Sequence, residues 1–220
     1  MIATGAALTL GLLVGARHAF EPDHLAAVST LVTSTRSARG AAWLGMVWGL
    51  GHTIALLAVG IALVAIGGVL PERVGAGFEL AVAAMLVVLG ARAVIRGVRN
   101  VDGDAGPHRH GSIEHVHPGA GDHVHVGTRA LAWRPLTIGL VHGLAGSGAL
   151  TALAFAELPG AGARVLYMVL FGAGSIAGMA VATGIAGAAL QRVARGPATR
   201  RWVAITTGLV SCVVGVIWAL

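Results

Sequence analysis

Lysine is absent from this 220-residue chain: all 15 of its basic residues are arginine, set against 9 acidic residues. Charged residues make up only 11% of the sequence, where soluble domains carry roughly a quarter, so a soluble globular domain is excluded. The arginines lie between apolar runs and not along one stripe, which argues against a nucleic-acid partner. A single cysteine, Cys212, leaves no internal disulfide. Met1 to Ala16 is apolar but has no basic leading segment, so a cleaved signal peptide is not expected. Neither a G-x-x-x-x-G-K-S/T loop nor an H-E-x-x-H pair occurs, which argues against nucleotide-driven work and against an intramembrane metallohydrolase. An enzyme is not expected.

The chain is rich in apolar residues, at 56%, and in glycine, with 34, and its mean hydropathy is +0.82. Runs long enough to cross a bilayer, at about 20 residues each, fall at Gly11 to Val32, Ala41 to Leu70, Gly77 to Ile95, Leu136 to Glu157, Val165 to Leu190 and Val203 to Leu220. The expected fold is therefore an all-α polytopic membrane protein with six transmembrane helices, surrounded by lipid of the inner or plasma membrane. Most arginines fall at alternate connections, and Arg73 and Arg164 stand on the opposite side. The positive-inside rule then puts the arginine-rich side in the cytosol and both termini outside.

An internal repeat runs through the sequence. A shift of 124 residues aligns Gly15-Ala-Arg-His18 with Gly139-Leu-Val-His142, and one of 123 aligns Trp48-Gly-Leu-Gly51-His52 with Phe171-Gly-Ala-Gly174-Ser175. Gly90 and Gly215 mark a weaker third pair. Three helices per repeat is an odd number, so the halves, 1–99 and 129–220, are expected to be inverted relative to each other, with a site at their interface near mid-bilayer. The pairs Gly45/Gly49, Gly139/Gly143 and Gly174/Gly178 are expected to serve helix packing.

Within the first apolar run, His18-Ala-Phe-Glu-Pro-Asp23-His24 places two imidazoles and two carboxylates where lipid is expected. Each such group costs roughly 2.5 to 3.5 kcal/mol near the centre of a membrane helix, and so marks a pathway, relay or bound ion. At about 100° per residue, His18, Asp23 and His24 would point about 0°, 140° and 240° around a straight helix and could not share an ion. Pro22 removes one helical hydrogen bond and clashes with the carbonyl of His18, so a kink or unwound turn is expected there. Broken helices of this kind are tolerated where they line a cavity. His52 and His142 reach a similar depth, and the glycines after His142 would permit a second bend. The candidate metal ligands are His18, Asp23, His24, His52 and His142, with Glu21 and Glu157 weaker. Imidazole with carboxylate suits nickel or cobalt, and zinc or copper by ligand type alone.

Residues 100–128 differ in composition. His108/His110, His115/His117 and His123/His125 lie among Gly, Asp and Pro, a tract expected to be unstructured and to bind divalent cations loosely. On the cytosolic side it would serve as a metal buffer or as a docking arm for a metallochaperone; the bland reading is a solvated linker. An importer would release metal to it and an exporter would collect from it.

Arg17-His-Ala-Phe-Glu-Pro-Asp-His-Leu resembles the R-H-A-x-x-x-D-H-I signature of the nickel/cobalt transporter family, and Gly51-His52-Thr53 resembles that family's G-H-S/T motif. Leu140-Val-His-Gly-Leu-Ala-Gly-Ser-Gly is similar to the H-G-L-A-G-S segment of its shorter, urease-accessory branch. The resemblance implies secondary transport of Ni²⁺ or Co²⁺, with His18, Asp23, His24 and His52 central to selectivity and no prosthetic group. The acidic-threonine motifs of the larger members' later helices are not evident; His142 and Ser147 stand in that region. A metal-efflux permease and a non-transporting accessory protein that delivers nickel to a cytosolic enzyme remain alternatives, and the oligomeric state is open.

Overall fold

Pro22 divides the first apolar run into two helices, α1 (Ile2–His18) and α2 (Pro22–Val32), in the computed structural model. That structure describes residues 2–33, 37–99, 107–110, 113–116, 123–126, 129–158, 160–194 and 196–220, with backbone alone at 2–4, 6–8, 147–157 and throughout the strands. The sequence predicts a kink or an unwound turn, and the outcome is a full interruption. Pro22 is the first residue of α2, where a helix needs no N–H and the proline φ is preset. The His18 carbonyl, which Pro22 could not serve, accepts from the Glu21 N–H at 3.0 Å, and the Arg17 carbonyl accepts from the Phe20 N–H at 2.9 Å. Glu21 then turns extended (φ −66°, ψ 152°), and its own carbonyl accepts from the Leu25 N–H at 2.9 Å to start α2.

The remaining apolar runs form α3 (Ala38–Ile66), α4 (Glu72–Arg99), α5 (Trp133–Glu157), α6 (Ala161–Val193) and α7 (Pro197–Trp218). Ser37 caps α3 by accepting from the Gly40 N–H at 2.9 Å. Its far end closes on Gly67, whose φ of 63° lets its own N–H and that of Gly68 fold back onto the carbonyls of Val64 and Leu63. Four of the described helices, α3, α4, α6 and α7, are long and apolar enough to cross a membrane. The protein is a polytopic membrane protein on this basis. The glycines after His142 do not interrupt their helix, since α5 runs unbroken from Trp133 to Glu157. Glycine permits a bend without imposing one, and Gly143 is needed instead for close contact with α3.

The histidine-rich connection also departs from expectation. Its backbone pairs as two antiparallel hairpins, β1 (Pro107–His110) with β2 (Ile113–Val116), and β3 (His123–Val126) with β4 (Arg129–Ala132). The alternation His-Val-His-Val has the period of a strand, and it prevails locally over the Gly, Asp and Pro content that suggested an unstructured tract.

α3 lies between α5 and α6, α1 lies on α6, α4 lies on α7, and α2 meets α7, α6 and α4. Glycine sets these approaches. A side-chain carbon at Gly15 would strike the Phe171 carbonyl, and one at Gly139 would strike that of Trp48. Gly51 lies against the Leu136 carbonyl and Gly174 against that of Leu12. Gly90 meets Gly208 and Cys212, while Gly215 meets Ala83 and Val87. Every one of these contacts has a reciprocal under the alignment of the two halves. Interhelical hydrogen bonds join them: Thr53 donates to the Gly172 carbonyl at 3.2 Å, Ser175 to that of Gly15 at 3.2 Å, and Ser211 to that of Leu86 at 2.9 Å. Each contributes on the order of 0.6 kcal/mol in a membrane.

Alanine at Gly15 or at Gly139 should lower stability in detergent by about 1–3 kcal/mol, the usual cost of overpacking. Gly77, where an added side-chain carbon would have no neighbour within 4 Å, should tolerate alanine and gain about 0.5–1 kcal/mol of helix propensity. Thermal unfolding of the three purified variants checks this, and a Gly15→Ala protein as stable as Gly77→Ala would contradict the close approach.

Candidate metal centre

The interruption at Pro22 puts residues from four helices in one place. His18 is the last residue of α1, Asp23 and His24 lie in the first turn of α2, His52 is in the middle of α3, and His142 comes from α5. Gly139 and Gly143 let the α5 backbone touch α3 at Trp48 and His52, which sets the distance between His142 and His52. The four imidazoles form a cluster, with ring centres 4.1 Å apart for His24 and His142, 4.3 Å for His18 and His24, and 5.3 Å for His18 and His52. His24, His52 and His142 are fully buried, and Asp23 is 5% exposed.

Carboxylates orient three of these rings. Asp23 accepts from His24 Nδ1 at 3.0 Å through one oxygen and from His142 Nε2 at 2.8 Å through the other. Glu21 Oε2 lies 2.9 Å from His18 Nδ1. Since a carboxylate only accepts, each pairing assigns the proton to the bonded nitrogen and leaves a lone pair on the other. Those other nitrogens, His24 Nε2, His142 Nδ1 and His18 Nε2, are buried and have no protein partner among the described residues, as is true of both nitrogens of His52. A single unsatisfied buried polar atom costs about 1–3 kcal/mol. Several around one point form a donor set suited to a ligand, and a histidine held by a carboxylate on its far side is how metal-binding imidazoles are usually supported.

Among the described residues, two overlapping groups could hold a metal ion, His18/His24/His52 and Asp23/His24/His142, with the donor atoms of each within 4.8 Å of one another. Nitrogen ligands sit about 2.0–2.1 Å from a transition ion, so closing either group takes side-chain shifts on the order of 1 Å. His24 belongs to both. The unpartnered nitrogens and the mixed imidazole–carboxylate donors fit a divalent transition metal.

All five residues expected as ligands are thus brought together. Glu21 joins through His18 and is half-exposed. The side chains of Ser147 and Glu157 and the whole of His117 lie outside the described residues, as do the side chains of the histidines on β1, β2 and β3.

Several groups at the site were not singled out from sequence. Trp48 stands 5.5 Å from His24 and 5.6 Å from His142, ring centre to ring centre, and Phe171 stands 5.3 Å from His18. The two are counterparts in the repeat, so each half contributes one aromatic wall, and the alignment carried that signal. Gly146, aligned with Pro22, faces His18 and His52, and a side-chain carbon there would come 3.7 Å from His18 Nε2. At the position aligned with His52, Ser175 supplies no ligand and its hydroxyl ties α6 to α1. A cavity of about 340 Å³ reaches the cluster, and its lining adds Glu79 from α4 and Trp218 from α7.

Residues 4–220 match the family described as high-affinity nickel-transport protein. The chain is 31% identical over 210 residues to a protein named Urease accessory protein UreH from Bacillus sp. (strain TB-90), an alignment covering 95% of this chain and 88% of that one. No solved structure matches. With the family's pattern extending over almost the full length, and a histidine cluster buried among helices that can span a membrane, the chain belongs to the high-affinity nickel-transport protein family, whose members are transporters and accessory proteins and not enzymes.

Proposed function

We propose that the protein is a permease that carries Ni²⁺ or Co²⁺ across the inner or plasma membrane through a mid-bilayer site made by His18, Asp23, His24, His52 and His142. The observation that carries this reading is the set of buried imidazole nitrogens left without partners around two overlapping ligand groups. Neutral imidazole with one carboxylate binds nickel and cobalt more tightly than manganese or iron(II). Because His24 is common to both groups, an ion can pass from His18/His52 toward Asp23/His142 while keeping one ligand throughout.

In this reading α1 and α2 together form one span, and α3 to α7 supply five more, giving two inverted repeats over 1–99 and 129–220. The reciprocal glycine contacts support that arrangement. Arginine placement supports a cytosolic position for residues 100–128, where the histidines would buffer metal or receive a metallochaperone. Coupling to protons or to the membrane potential supplies the driving force.

Alanine at His24 should abolish nickel uptake while leaving membrane insertion intact; normal uptake by that variant would overturn the proposal. Nickel titration of purified variants should also show a hierarchy. His24→Ala should lose the most affinity, more than the roughly 10- to 100-fold typical of losing a group that only supports a ligand, and His18→Ala and His142→Ala should each lose less. Equal losses at all three would point to one undivided site.

The name of the Bacillus relative favours a second reading, a membrane accessory protein that hands nickel to a cytosolic enzyme without transporting it. Vesicles containing this protein alone separate the two: metal-dependent uptake supports the permease, and its absence supports the accessory role. Competition among nickel, cobalt and zinc in the same assay identifies the cargo.

A further inference from the structure

Among the described residues, the cavity that reaches the histidine cluster is lined toward one end of the bundle. Glu79 lies about two turns into α4, near the start at Glu72 and far from Arg96 and Arg99 in the last turn. Trp218 is the last residue of α7, whose opening turns carry Arg200 and Arg201. Both belong to the arginine-poor end. Toward the other end the cluster is closed by a dense core, in which Ala26, Ala27, Val28 and Val32 of α2 pack with Ala41 and Met179, none more than 4% exposed.

The lining has the chemistry of a cation route. Glu21 and Asp23 are already engaged with histidines. Glu79 forms no ion pair among the described residues, although it stands within a helix apolar enough to cross the membrane. A carboxylate there is costly against lipid and is accommodated by facing water. Two further lining residues, His24 and His142, are each 1% exposed and carry unpartnered nitrogens.

We infer that this cavity is a vestibule open to the outer face, and that Glu79 is the carboxylate that draws divalent cations into it without joining the final ligand set. Low-dielectric walls focus the field of a single carboxylate and raise the local cation concentration. The effect acts on capture, so it belongs in KM and not in the maximal rate, and it weakens as salt screens the charge. The inference rests on the permease reading and on the orientation given by the arginines, and its test separates the three.

Proteoliposome uptake at low ionic strength should show Glu79→Gln raising the KM for Ni²⁺ about three- to tenfold with the maximal rate unchanged. High salt should narrow the gap, and Glu79→Asp should restore most of the capture. Because Cys212 is the only cysteine, a Cys212→Ala, Glu79→Cys protein carries one thiol. A membrane-impermeant thiol reagent added to intact cells should label it, and Ni²⁺ should slow the labelling. A wild-type KM in Glu79→Gln would overturn the capture role, and labelling only from the cytosolic side would overturn the outward vestibule. Wild-type protein that moves no nickel would instead sink the permease reading, and external labelling with nickel protection would still decide the vestibule.

Discussion

A proline cannot donate a backbone hydrogen bond, and the site depends on that one missing bond at Pro22. Without the interruption, His18 and His24 would leave one helix in different directions and Asp23 would have no common neighbour among them. With it, the end of α1 and the first turn of α2 converge, and the Asp23 carboxylate can hold His24 from its own helix and His142 from α5. The turn keeps its backbone satisfied, since the His18 carbonyl accepts from Glu21. An unsatisfied carbonyl buried among apolar helices would carry the cost of an unpaired polar group.

Glycine then does what side chains do in a water-soluble core. Between apolar helices in lipid there is little hydrophobic gain from association, so affinity comes from close backbone approach and a few hydrogen bonds. Gly139 and Gly143 on α5 and Gly174 and Gly178 on α6 are where α3 and α1 come closest to the second half. The same contacts fix the separation of the imidazoles. Packing and ligand geometry are therefore set by one group of residues, and a side chain added at Gly143 would displace the His52 backbone itself.

Much of this was legible in the sequence because it is local. Pro22 announces a break wherever it falls inside an apolar run, and ionisable residues among leucines and alanines stand out without any knowledge of the fold. The repeat supplied the one long-range relation, pairing His18 with His142. What stayed hidden depends on which helix faces which. Glu79 reads as an interfacial residue near the start of a span, and only the packing of α4 and α7 brings it to the cavity with Trp218. Trp48, one turn before His52, reads as ordinary packing until α5 is laid against it. In the histidine-rich connection, two kinds of local signal conflicted, and composition outweighed the two-residue alternation that the backbone follows.

His52 and Ser175 hold aligned positions in the sequence and differ in chemistry. Ser175 spends its hydroxyl on the Gly15 carbonyl, whereas His52 keeps both nitrogens uncommitted. The two aligned positions therefore do different work: Ser175 ties two helices together, and His52 offers its ring nitrogens to whatever enters the cluster.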